Sequence, residues 1–173
     1  MTDLNYQAKQ PVSAALAGPY GHPYHPILVT IPIGTWVTSI VFDIASHIVD
    51  DPAFLNRGAL WLIGIGLLGA LAAATIGFLD LLAIPTDTPA FRTAIWHMSL
   101  MLTVTVGFGI SFWWRLVGSL DNAVAYGPLT LSIICAAVLT IGGALGGKLA
   151  YLYGVRVADE ATQATGYTRT SSD

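Results

Sequence analysis

All four histidines of the chain, together with Asp43, Asp80 and Lys148, stand at the edges of long apolar runs. An ionisable group in hydrocarbon costs a few kcal/mol on insertion scales, so each needs a partner or a task. Three imidazoles and a carboxylate, from His22, His25, His97 and Asp80, are a sufficient ligand set for zinc, iron or copper. His25 and His97 could instead ligate a b-type haem axially, with Asp80 orienting an imidazole from behind. A haem also needs a cavity lined by small residues, and Gly69–Gly77 could form part of one. The plainer alternative is an Asp80–Lys148 or Asp80–Arg92 ion pair with the histidines as hydrogen-bond partners. Asp43 and His47, at i and i+4, would face the same way and form a structural pair.

The surrounding elements must bring these residues together. The chain has 173 residues, 54% apolar and only 10% charged. Soluble domains carry roughly 25% charged residues, so this surface cannot be wetted by water and the bilayer must be its solvent. Four apolar stretches, near Pro26–Val49, Gly58–Ile84, Thr93–Leu116 and Leu129–Tyr153, each exceed the ~20 residues that cross a bilayer. Proline-bearing linkers separate them, Asp50-Asp51-Pro52 and Pro85-Thr86-Asp87-Thr88-Pro89 among them. A soluble four-helix bundle would need Glu and Lys at helical spacing, and Leu60 to Leu79 holds no charge. The expectation is an all-α integral membrane protein: a four-transmembrane-helix up-and-down bundle over 21–157, a flexible lead-in over 1–20 and a disordered tail over 158–173.

Alternating threading gives the polar residues a common depth. The start of the first span, the end of the second, the start of the third and the end of the fourth all meet one membrane face. His22, His25, Asp80, His97 and Lys148 therefore fall into one shallow layer, with Arg92 just above it. Pro32 removes a hydrogen bond from the carbonyl of Leu28 and should kink the first helix. Gly69, Ala73 and Gly77, with Gly142/Gly146 and Gly143/Gly147, write close helix packing, either within the bundle or between copies in a homo-oligomer. No internal repeat is visible, because helix lengths differ and polar residues do not recur in register.

Basic residues set orientation. Lys9, Arg92, Lys148, Arg156 and Arg169 share the side of the termini, against Arg57 and Arg115 opposite. This favours both termini in the cytoplasm. The small net charge of −3 gives no nucleic-acid signal. Cys135 is the one cysteine and sits mid-span, as a packing residue. No catalytic serine elbow, phosphate loop or zinc-protease motif is present, so the chain is not expected to be an enzyme on its own.

The segment Gly21–Gly34, GHPYHPILVTIPIG, resembles the GHPxHPxLVxxPIG signature of a bacterial membrane family, domain of unknown function number 2231. Phe42-Asp43, Gly77-Phe78-Leu79-Asp80, Arg92 to His97 and Gly146 to Val155 are similar to its further motifs. The resemblance implies a four-helix membrane module whose fitted positions include His22, His25, Asp80, Arg92 and His97. In some relatives the module precedes a Rieske-type domain or accompanies cytochrome-like partners, which implies a redox role. This chain has no Cys-x-His cluster box, so an electron partner would be a separate membrane protein. Two functions therefore stand as expectations: a small membrane redox subunit holding haem b or a metal, and a non-catalytic scaffold or assembly subunit whose polar layer is structural.

Overall fold

A computed structural model describes residues 3–167; Arg169 lies outside them. Among the described residues every regular element is helical. Helix α1 (Asp3–Lys9) leads through two single turns to α2 (Tyr24–Leu28) and α3 (Thr30–Ser46). The long helices α4 (Ala53–Leu81), α5 (Pro89–Leu116) and α6 (Tyr126–Tyr151) follow, then the short α7 (Glu160–Thr165). Four segments are long and apolar enough to cross a membrane: Tyr24–Ser46, Ala53–Leu81, Pro89–Leu116 and Tyr126–Tyr151.

Local chemistry sets these boundaries. The first span is interrupted at Val29, between α2 and α3. Pro32 lies just beyond and has no N–H to offer the carbonyl of Leu28, so the ladder loosens at the expected place. Thr88 caps α5 by accepting from the Phe91 N–H at 3.1 Å, with Pro89 at the first helical position. The second span starts earlier than the apolar run because Asn56 and Arg57 belong to the helix. Asn56 donates to the carbonyl of Asn122 at 2.9 Å, and Arg57 pairs with Asp121. At the other end, Arg156 takes a left-handed φ of 58°, and its N–H donates to the carbonyl of Ala8 at 3.0 Å. This ties the chain after the fourth span to α1.

The spans pack in ring order, each against the next in sequence and the fourth against the first. The first and third run parallel across the diagonal and meet on the central axis through their side chains. Trp36 stacks on Phe108 with ring centres 4.3 Å apart. Arg115 grips Asp43, and His25 meets His97. Each of these pairs joins residues 72 apart in sequence. Contact between a residue and its own equivalent is the mark of a two-fold axis. Pro32 and Val104, and Ser39 and Ser111, are buried at the same offset. The second and fourth spans correspond as well. Nδ1 of His25 bonds the carbonyl of Ala73, and Nδ1 of His97 bonds that of Gly142.

The bundle is therefore two helical hairpins arranged about a pseudo-two-fold axis. This corrects the expectation of no repeat. At one pair of equivalent positions the residues are complementary rather than alike, Asp43 facing Arg115.

The interior holds polar side chains beside its apolar core. Ser39, Asp43, Ser46, Asn56, Ser111, Arg115 and Ser132 are buried, while Ile, Leu and Trp side chains cover the outer face. Lipid gives no hydrophobic drive for one apolar helix to seek another, so packing and polar contacts must hold the bundle. Glycines allow the close approach. A methyl on Gly69 would meet Ile31 and Pro32. Gly142 faces Leu100 and Met101, whereas Gly143 faces open space. One small-residue stripe of the fourth span is therefore spent inside the bundle and the other points outward.

Candidate functional site

The candidate site lies on the two-fold axis at the membrane face shared by the termini. His25 comes from the short helix α2 and His97 from the third turn of α5. Their ring centres are 6.3 Å apart and their planes stand at 85°. Each imidazole is fixed in the same way. Nδ1 of His25 lies 2.9 Å from the carbonyl oxygen of Ala73, and Nδ1 of His97 lies 2.8 Å from that of Gly142. A carbonyl only accepts, so both rings donate from Nδ1, and in the neutral ring the lone pair is then on Nε2. Space for each ring is provided by glycine. A Cβ on Gly77 would stand 2.8 Å from the His25 ring, and one on Gly146 would stand 3.0 Å from the His97 ring.

Asp80, one residue before the end of α4, does not orient an imidazole; the two backbone carbonyls do that. Nor does it pair with Lys148 or Arg92, as the sequence suggested. Its partner is Arg156, with Nε 3.0 Å from Oδ1 and both side chains largely buried. The Arg156 guanidinium also donates to the carbonyl of Leu16 at 2.9 Å. Asp80 is near enough to His25 for the two to interact electrostatically. Sequence reasoning counted Arg156 only as a flank charge. The signal that could have found it is Gly154, whose φ of 68° turns the chain back over the helix ends.

Two expected members lie apart. His22 packs edge-on against Tyr20, with ring centres 5.8 Å apart. Arg92 is exposed and faces an outer cleft with Lys148. The layer expected from threading is thus divided into the His25–His97 pair, the Asp80–Arg156 pair and an outer basic cleft. Among the described residues no group of three or more His, Cys, Asp or Glu side chains is assembled to hold a metal ion.

The model of the predicted membrane protein family DUF2231 matches residues 21–159. The chain belongs to this family. No curated protein and no solved structure matches it. The matched region of this DUF2231 protein begins just before His22, includes all four spans and runs past Arg156.

A second polar centre occupies the opposite end of the axis, where sequence reasoning expected an Asp43–His47 pair and a flanking Arg115. Arg115 instead lies in the core. It donates to both oxygens of Asp43, at 2.8 and 2.7 Å, with both side chains almost fully buried. Ser111 and Ser132 lie 3.1 Å apart and each sits 3.4 Å from the guanidinium. His47 turns away and stacks on Tyr126. The i, i+4 spacing was a weaker guide than the two-fold axis, because a bidentate Arg fork satisfies a carboxylate more completely than an imidazole does. The Trp36–Phe108 stack separates this centre from the histidine pair.

Proposed function

We propose that this DUF2231 protein is a small membrane subunit that holds a haem b, or failing that a transition-metal ion, between His25 and His97 in a redox context. The observation that carries the reading is the matched pair of imidazoles on the axis, each with Nδ1 engaged and Nε2 free. An imidazole that donates its second N–H to a carbonyl is in the tautomer and orientation a metal ligand needs. The ring centres are 6.3 Å apart, close enough that both imidazoles would reach one ion at metal–nitrogen bonds of about 2.0–2.1 Å. Among the described residues no group of three or more His, Cys, Asp or Glu side chains is assembled at the pair, so the occupant that suits it brings its own remaining ligands, as a porphyrin does. Haem b would supply one-electron chemistry, and His25 and His97 would hold it through Nε2. The termini lie in the cytoplasm on this reading, with Arg92 and Lys148 on that side as the positive-inside rule favours.

The rival reading, a non-catalytic scaffold or assembly subunit, is favoured by a different observation. Each imidazole already has a hydrogen-bond partner and Asp80 already has Arg156, so the layer is satisfied without a ligand. Optical spectra and elemental analysis of detergent-purified protein, from cells given haem precursor and metals, decide between them. The redox reading expects a Soret band, or a stoichiometric metal, that disappears in both His25→Ala and His97→Ala. Colourless, metal-free protein leaves the scaffold.

A further inference from the structure

We propose that the outer cleft between α5 and α6 is a binding site for the phosphodiester headgroup of an anionic phospholipid. The cleft is about 250 Å³ and is lined by Pro89, Arg92, Thr93, Trp96, Lys148 and Tyr153. It is independent of the histidine pair and of any cofactor held there.

The charge pattern of the whole molecule singles it out. Arg57, Arg115 and Arg156 each face a carboxylate, and Lys9 lies within electrostatic reach of Asp159. Among the described residues Arg92 and Lys148 have no carboxylate partner, and both line this one cleft. Lys148 is held with Nζ 5.5 Å from the centre of the Tyr153 ring, which fixes its head without neutralising it. Arg92 lies in the first turn of α5, where the helix end adds partial positive charge. Two cations converging on a shallow cleft require an anion, and a guanidinium with an ammonium is a phosphate-binding set.

Depth selects the source of that anion. Trp96, exposed one turn deeper than Arg92, sits where interfacial aromatics mark the headgroup level. Basic pockets between spans at this level take anionic lipid heads. A cleft of this size is smaller than a drug-sized pocket and suits a headgroup, leaving the acyl chains to run down the exposed apolar flank of α5.

Native mass spectrometry of the full chain, released from micelles containing equal phosphatidylglycerol and phosphatidylcholine, tests this. The expected result is retention of phosphatidylglycerol roughly thirtyfold over phosphatidylcholine, as two basic residues at about 1 kcal/mol each near the membrane surface would give. R92Q/K148Q should bring the ratio close to one, while R57Q, a cation at the opposite face, should leave it unchanged. The charge-preserving R92K/K148R should keep the preference and guards against misfolding of the neutral variant. Equal retention of both lipids overturns the proposal. So does a preference that survives R92Q/K148Q, or one that R57Q abolishes equally. Inorganic phosphate that strips the lipid and itself raises the melting temperature would assign the cleft to a free anion instead.

Discussion

A histidine at the edge of a span becomes a candidate ligand only when its orientation is fixed, and here a glycine and a carbonyl from the adjacent helix do the fixing. The Nδ1 contacts to Ala73 and Gly142 need the rings to lie flat against Gly77 and Gly146. Gly77→Ala would put a methyl inside contact distance of the His25 ring, so the ring must turn and lose its carbonyl. Nitrogen NMR of labelled imidazoles should show His25 leave the Nδ1–H tautomer in Gly77→Ala. Gly143→Ala, on the open face of the same bundle, should leave both rings as they were. An unchanged His25 signal in Gly77→Ala would show that the glycine does not set the ring's position.

At the level of elements, the spans are held by contacts made at their polar positions. Arg115 crosses from α5 to Asp43 on α3, two helices that face each other only across the axis. Removing one partner of a buried ion pair leaves an uncompensated charge and costs roughly 3–5 kcal/mol. Arg115→Met should therefore destabilise the bundle by that order in a detergent unfolding titration. The double variant Asp43→Leu/Arg115→Met should recover most of the loss, because no orphan charge remains. If the double variant is no more stable than the single, the pair contributes more than mutual neutralisation. The element boundaries themselves were open to sequence reading. Proline, Thr88 and span length set them, whereas the early start of α4 was missed because the partners of Asn56 and Arg57 lie in a distant loop.

The whole molecule is a pair of hairpins whose equivalent positions meet on one axis. Position 43 and position 115 are images of each other, flanked by the equivalent serines Ser39 and Ser111. The charge-reversed double variant Asp43→Arg/Arg115→Asp should thus fold far better than either single reversal, and melting temperatures in detergent would rank them. The rescue should be incomplete, because the guanidinium at 115 borders Ser132, whose counterpart in the other half is the apolar Ile63. A double variant as unstable as the single reversals would argue against the pseudo-two-fold relation as an energetic fact.

The sequence alone determined the solvent and the number of spans. Those properties follow from composition and the length of the apolar runs, which are local or counted along the chain. Which residue faces which was decided only by the tertiary structure. Asp80 takes Arg156, Asp43 takes Arg115, His22 stays with Tyr20, and Arg92 joins Lys148 outside. Rotation of each helix about its own axis is not written in span length. It is fixed by where glycines let neighbours approach and by the axis that sets each residue opposite its counterpart 72 positions away.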